Sequence, residues 1–573
     1  MINRHPLTVD YSDRRRILLL TLIGVMVTLV GRAIDLQLLE TEFLKKKAEF
    51  QYISAVLMSA YRGNIVDRHG EPLAISAPVH SVWVDPQQFE TSPRQRRDLA
   101  EALSISAKHL DQLISEEFRK KRFIYIKRLI SPSLQKKVSE MELPGVFFKR
   151  EYKRYYPAGE VTSHLIGFTN IDDIGQDGIE LARQEQLQGK PGRKTVIRDG
   201  KRNAVYDVKK IHDPVPGRDL ALTIDQRLQY IAYRELKAAF IKHRAHSASL
   251  VLLDARSGDV LAMVNQPSFN PNSDKRRNRE KYRNRAITDV FEPGSTMKPF
   301  AVACALDNGT LRPDSVIDTS PGSFRVGRNL VRDIHNYGVL DVARILQKSS
   351  NVGVSKLALA VSPDSFWECY NRLGFGQNPG TGFPGEATGT LRGYENLRPF
   401  EQATLSFGYG LSGSAVQLAR AYTALANEGE MPPVRLIKRD NSTEPPVRVM
   451  SPETARTVRE MLELVVSREG TALRASVPGY RIAGKTGTVR KVGAGGYRGH
   501  RYLAVFAGLA PASRPRIVMV VVVDEPESGD YYSGLVAAPV FSSVMDPVLR
   551  LLGIQPDQEQ SIPLVRPDPD GTI

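Results

Sequence analysis

The sequence predicts an α+β fold: one antiparallel sheet flanked by helices, with an extended domain ahead of it and a single apolar helix near the N-terminus. Three observations lead there. Strand-like runs occur early, at Ser249-Leu250-Val251-Leu252-Leu253-Asp254 and Val260-Leu261-Ala262-Met263-Val264, and late, at 502–508 and 517–523, with helices between. Strands that open and close a domain around helices return to one sheet. Residues from 61 to about 216 alternate short strands with charged helices, and residues 17–31 carry no charge at all.

Taken in order, residues 1–16 form a short tail ending in Arg14-Arg15-Arg16. The uncharged run, extended past Arg32 to residue 38, reaches the ~20 residues that span a bilayer if Arg32 and Asp35 lie at the outer interface. Gly31-Arg32-Ala33 is a poor cleavage site and the helical pattern continues beyond it, so residues 17–38 read as an uncleaved anchor. Arginines before the span and a large domain after it predict a cytoplasmic N-terminus with the bulk outside. Residues 39–219 read as stalk and pedestal, mixed helical and polar over 36–60, with helices at 93–103 and 131–141 farther on. Leu220-Ala221-Leu222-Thr223-Ile224-Asp225 opens the second domain, 220–554, whose first strands form a hairpin turning at Ser257-Gly258. The last segment, 555–573, is rich in Pro and Asp and reads as a disordered tail.

The 573 residues suffice for two or three domains, and 41% hydrophobic content is ordinary for a folded protein. A formal net charge of +16 raises the question of a nucleic-acid partner, but no nucleic-acid-binding signature accompanies it. Cys304 and Cys369 do not make a disulfide framework, and Cys304 reads as a small core residue on an apolar helix. The ten histidines lack metal-ligand spacing, and Gly493-Ala494-Gly495-Gly496 reads as a hairpin turn, so no metal or cofactor is expected.

The chemistry concentrates at Phe291-Glu292-Pro293-Gly294-Ser295-Thr296-Met297-Lys298-Pro299-Phe300. Pro293-Gly294 starts a helix, and S-x-x-K spacing puts the Ser295 hydroxyl and the Lys298 amine on one face of it. A serine is a poor nucleophile at neutral pH, and a lysine takes its proton only if burial or nearby positive charge lowers the ammonium pKa. Ser295 in the first turn also meets free N–H groups and the positive end of the helix dipole, which favour an oxyanion. S-x-x-K alone is common by chance. Two further elements give it weight: Ser349-Ser350-Asn351, an S-x-N triplet, and Lys485-Thr486-Gly487-Thr488, a K-T-G strand. In that order the three mark serine acyltransferases that act on penicillin and on D-alanyl-D-alanine peptides. Ser349 can relay a proton between Lys298 and a leaving amine, and Asn351 can donate its amide to a substrate backbone. Lys485 with the Thr486 and Thr488 hydroxyls can hold a carboxylate, while Gly487 lets a substrate backbone approach the strand.

These motifs resemble the class B penicillin-binding proteins, and the resemblance runs over nearly the whole chain. Upstream it includes Arg62-Gly63-Asn64-Ile65-Val66-Asp67-Arg68-His69-Gly70-Glu71-Pro72-Leu73-Ala74, with His69 where Asn is more usual. It continues through Arg154-Tyr155-Tyr156-Pro157-Ala158-Gly159, His164, Gly167, Gly178-Ile179-Glu180, Leu187 and Gly189. The resemblance implies a penicillin-binding/β-lactamase-like serine transpeptidase domain on a dimerisation-type pedestal, whose signatures hold structure and do no chemistry. Val523-Asp524-Glu525-Pro526, Tyr531-Tyr532-Ser533-Gly534 and Ser406-Phe407-Gly408-Tyr409-Gly410 are similar to the division-specific, penicillin-binding protein 3 branch, with Ser533 where Gly is usual.

By that resemblance the protein cross-links peptidoglycan stem pentapeptides at the division septum through a Ser295 acyl-enzyme and is a target of β-lactams. It would sit in the bacterial inner membrane with its bulk in the periplasm, among division-complex proteins that include a glycan-polymerising glycosyltransferase. The backbone N–H groups of Ser295 and Thr488 would form the oxyanion hole, and Tyr409, Tyr532, Tyr502 and Tyr531 would supply aromatic walls. The basic cluster from Lys275-Arg276-Arg277 to Arg285 suits either anionic lipid or peptidoglycan carboxylates, or a solvated loop. An elongation-type transpeptidase or a D,D-carboxypeptidase shares this chemistry. A non-enzymatic division scaffold is opposed by the intact Ser295/Lys298 pair.

Overall fold

The computed structural model describes residues 12–43, 53–115, 117, 120–198, 204–273, 279–438, 444–491 and 501–558. The chain divides into two compact units, Met1–Tyr61 with Gly189–Pro216, and Arg62–Gln188 with Gly217–Ile573.

In the first unit the helix Ser12–Ile34 carries no buried residue, and a π turn, Asp35–Leu39, prolongs it. The stretch Ser12–Leu38 is long and apolar enough to cross a membrane. Arg32 and Asp35 pair at its end, which offsets each charge where the apolar run stops. The stalk differs from the mixed helical reading, since Ile53–Met58 is a strand. It pairs antiparallel with Gly192–Arg198, which pairs in turn with Ala204–His212. Strand partners some 140 residues downstream override weak local helical propensity.

The second unit begins with the pedestal signatures. The long strand Pro72–Val84 pairs with Ile124–Ile130 on one side and Val146–Tyr155 on the other. Helices Pro93–Ala102, Ala107–Leu113 and Pro132–Ser139, each capped by a serine, surround a core that includes Val82, Val84, Leu99 and Ile126. The signature charges are structural. Fully buried Glu180 accepts hydrogen bonds from Arg62 Nε and Arg154 Nε, both at 2.7 Å, so neither carboxylate oxygen is left unpaired. Asp67 accepts the N–H groups of His69 and Glu71 and, at 3.1 Å, that of Gln226, tying the pedestal to the helix Gln226–Lys242.

The catalytic sheet has five strands: β1 Ser247–Asp254, β2 Val260–Gln266, β3 Ala483–Arg490, β4 Tyr502–Ala510 and β5 Ile517–Asp524. Their spatial order is β2-β1-β5-β4-β3, antiparallel throughout. Strands β1, β2 and β5 are buried almost without a break, because runs such as Leu250-Val251-Leu252-Leu253 have no polar face to give to water. Five helices bear on the site: α1 Lys298–Asp307, α2 Asn351–Ala360, α3 Pro363–Arg372, α4 Ala415–Ala426 and α5 Ser533–Leu551. Helix α5 is also apolar enough to span a membrane, yet half of that stretch is buried, with Phe541 against Phe506. It is a core helix.

Two expectations change. Cys304 and Cys369 form a disulfide that joins α1 to α3, where the sequence suggested an unpaired core cysteine. Their separation of 65 residues hides a proximity that only helix packing creates. The tail is ordered at its start, since Asp557 accepts from Arg481 N at 2.7 Å and Ser513 N at 3.1 Å. Residues 559–573, the basic residues 275–277 and the expected turn 493–496 lie outside the described residues.

Candidate active site

Ser295 stands in a short 3-10 turn, Gly294–Met297, that runs directly into α1 at Lys298. Gly294 has φ of +59°, a conformation that a side chain resists. Several groups fix the turn. Thr296 Oγ1 donates to Pro293 O at 2.7 Å, Tyr422 Oη of α4 donates to Thr296 O at 2.8 Å, and Gly294 N donates to Gly408 O at 3.1 Å. A Cβ on Gly408 would lie 2.1 Å from Gly294 O, and one on Gly487 would lie 2.8 Å from Pro293 O. Gly487, expected to clear a path for substrate, therefore clears one for the Ser295 turn itself.

Lys298 is fully buried, and its ammonium donates to Ser349 O at 2.5 Å, Ser349 Oγ at 3.0 Å and Asn351 Oδ1 at 2.7 Å. Lys485, equally buried, donates to the same Ser349 Oγ at 3.0 Å and to Thr486 O at 3.3 Å. Ser349 takes a left-handed backbone, φ 60° and ψ 42°, at a cost of about 1–2 kcal/mol, and that conformation accompanies the turn of its hydroxyl between the lysines. Burial and the Lys485 charge push the Lys298 pKa well below the ordinary ammonium range, with Asp333 acting the other way. Burial pushes Lys485 down to about 7. Two buried ammonium groups sharing one hydroxyl favour loss of a proton from the pair, which creates a base near neutral pH. Asn351 Nδ2 donates to Arg332 O at 3.0 Å, which occupies one of its two N–H bonds.

The hydroxyls of the K-T-G strand are paired within the protein. Thr486 Oγ1 lies 2.8 Å from Thr471 Oγ1, and Thr488 Oγ1 lies 2.8 Å from Ser533 Oγ while accepting Ser533 N at 3.0 Å. Ser533, which stands where Gly is usual, thus touches Thr488 from the first turn of α5. Strand β3 pairs only with β4 among the described residues, so the N–H groups along its other edge enter no strand ladder. The two expected oxyanion donors, Ser295 N and Thr488 N, belong to that turn and that strand.

Tyr409 is half-buried, its hydroxyl bonds to the Arg490 backbone, and burial raises its pKa. Tyr532 is 49% exposed and stacks on Tyr531 at 4.5 Å, which stacks on Tyr502 at 4.2 Å. These rings rim the end of β3, where Arg490 faces Tyr502. Sequence reasoning missed Asp333, Tyr422 and Thr471. None of them lies in a motif, and each reaches the site through a contact that spacing along the chain does not encode.

Known proteins resemble this chain as follows. The description "Penicillin binding protein transpeptidase domain" matches residues 248–546, and "Penicillin-binding Protein dimerisation domain" matches residues 57–222. The chain is 42% identical over 537 residues to the peptidoglycan D,D-transpeptidase FtsI of Escherichia coli, covering 92% of this chain and 90% of the relative. It is 39% identical over 549 residues to the probable peptidoglycan D,D-transpeptidase PenA of Neisseria gonorrhoeae, covering 95% and 94%. Among solved structures, the TP domain of penicillin-binding protein 3 from Burkholderia pseudomallei is 46% identical, with a TM-score of 0.55 over 59% of this chain and 98% of that one. A peptidoglycan synthetase from Bifidobacterium adolescentis, 24% identical, shares the fold with a TM-score of 0.71 over 89% of this chain and 98% of that one.

Proposed function

The chain belongs to the penicillin-binding transpeptidase family and is a peptidoglycan D,D-transpeptidase, and from that premise we propose that Ser295 is its nucleophile and Lys298 the base that activates it. The observation that carries the reading is the convergence of two fully buried lysines on the Ser349 hydroxyl, beside the turn that holds Ser295. Burial and the Lys485 charge favour the neutral amine of Lys298, which is what a serine nucleophile requires of its base.

In the first step Ser295 Oγ attacks the carbonyl carbon of the penultimate D-alanine of a stem pentapeptide while its proton passes to Lys298. The oxyanion is held by the N–H groups of Ser295 and Thr488, donors worth roughly 3–4 kcal/mol each in comparable sites. As the intermediate collapses, the C–N bond breaks, the proton passes through Ser349 to the leaving nitrogen, and D-alanine departs. An amine of a neighbouring stem peptide then attacks the ester, gives up a proton to the same relay and restores Ser295. Lys485, Thr486 and Thr488 hold the terminal carboxylate, Asn351 takes the substrate backbone, Gly487 keeps the strand close to the turn, and Tyr409 and Tyr532 line the groove. A β-lactam enters at the first step in place of the pentapeptide.

The apolar helix anchors the protein, with Arg14-Arg15-Arg16 on the cytoplasmic side and the catalytic unit in the periplasm. A division role brings it beside septal membrane proteins, among them a glycan-polymerising glycosyltransferase. Labelled penicillin should acylate Ser295, and Ser295→Ala should abolish labelling in a folded protein; peptide mapping that finds the adduct on Ser349 would overturn the assignment. Complementation of a strain depleted of its own division transpeptidase tests the septal role, and rescue of an elongation defect alone would refute it.

A further inference from the structure

Asp333 follows the strand Asn329–Arg332 and belongs to none of the three motifs. Its carboxylate lies at the N-terminus of α2, where Oδ1 accepts the N–H groups of Asn351 and, at 3.0 Å, Val352, and Oδ2 accepts the Ser350 hydroxyl. Three donors from three consecutive residues thus converge on one side chain. The residue just before them is Ser349, whose left-handed backbone is one that a non-glycine residue avoids unless its surroundings hold it. Clamping residues 350–352 supplies that hold. Arg332 O adds a further grip by accepting Asn351 Nδ2 at 3.0 Å. The end of this strand therefore fixes the turn that keeps Ser349 Oγ within 3.0 Å of both lysine amines.

Charge points the same way. The groups that face Lys298 are Lys485 from β3, the neutral Ser349 and Asn351 from the S-x-N turn, and Asp333 from the strand end. Lys485 repels a proton on Lys298 and Asp333 attracts one. Tyr337 is a further titratable group beside Asp333, and burial with the Asp333 charge keeps its hydroxyl protonated.

We propose that Asp333 is a positioning residue of the acylation site: it locks the S-x-N turn so that Ser349 Oγ bridges the two lysines. The inference rests on the assignment of Lys298 as base. Its test is the pH profile of penicillin acylation of the full chain in detergent. Acylation should rise with pH as Lys298 loses its proton. Removing an attractive negative charge makes that proton easier to lose, so Asp333→Asn should move the rising limb to lower pH by about one unit. The same variant should lower the plateau about tenfold as the turn loosens. Asp333→Glu keeps the charge but misplaces it, so its plateau should fall with a smaller limb shift. Ser350→Ala deletes one clamp bond and should lower the plateau without moving the limb.

A plateau that drops with an unmoved limb in Asp333→Asn, or a limb that moves to higher pH, overturns the electrostatic part. If that variant does not fold, Asp333→Ser, which also removes the charge, takes its place and is read the same way. A wild-type plateau in Ser350→Ala together with Asp333→Glu overturns the positioning part. Near-normal acylation by Lys298→Ala would instead sink the underlying base assignment, which keeps the two failures apart.

Discussion

A single methyl group at Gly408 tests how the nucleophile is held. Gly408 carries φ of +80°, and its Cα faces the Gly294 backbone, so the Cβ of Gly408→Ala would sit 2.1 Å from Gly294 O, 2.5 Å from its N and 2.7 Å from its C. Ordinary contact begins near 3.4 Å, so the two segments must part by about 1 Å or the chain must refold locally. The left-handed backbone adds about 1–2 kcal/mol for an L-residue, and loss of the bond from Gly294 N to Gly408 O adds about 1 kcal/mol. Because Gly294 immediately precedes Ser295, a shift of that size reaches the nucleophile, and a misplacement of about 1 Å can cost about 10²-fold in rate. Gly410→Ala is the control: it has the same backbone strain at φ of +83°, but its new Cβ would meet nothing nearer than 3.9 Å. The measurement is the second-order rate constant for acylation by a fluorescent penicillin, with thermal melting to confirm folding. Gly408→Ala should acylate about 100-fold more slowly while Gly410→Ala stays within about threefold. Wild-type acylation by folded Gly408→Ala, or an equal loss in Gly410→Ala, would refute the argument.

Three further outcomes follow from the same geometry. Lys298→Arg keeps the charge but cannot release a proton, so its acylation should be nearly as slow as that of Lys298→Ala; near-normal rates would move the base to Ser349 with Lys485. Breaking the Cys304–Cys369 bond by Cys304→Ser releases a closure of 65 residues and should cost up to about 4 kcal/mol, read as a lower melting temperature that reduced wild-type protein reproduces; melting insensitive to thorough reduction would contradict it. Ser533→Gly should remove the side-chain bond to the Thr488 hydroxyl, leaving it the backbone N–H of position 533, and raise acylation by carboxylate-bearing penicillins about two- to fivefold, and a decrease would show that the Ser533 hydroxyl supports the threonine.

The short-range chemistry of this protein was legible in its residues. S-x-x-K lies within two turns of one helix, S-x-N and K-T-G are local triplets, and the helical and strand periods of 249–264 and 502–523 follow from where apolar side chains recur. The apolar span near the N-terminus needs only length and hydropathy. The signature arginines were legible as residue types, but their shared partner Glu180 was visible only once the pedestal had folded.

By itself, then, the sequence determined the residue types of the reaction, their order and the sheet that would carry them, because those depend on side-chain chemistry and on repeats of a few residues. Tertiary structure alone decided which groups meet: Lys485 with Ser349 across 136 residues, Cys304 with Cys369, Ser533 with Thr488, and Asp333 with the S-x-N turn. Hydrogen bonds act over about 3 Å and a pKa responds to burial and to charges within several ångströms, so both are properties of packing that no spacing along the chain records.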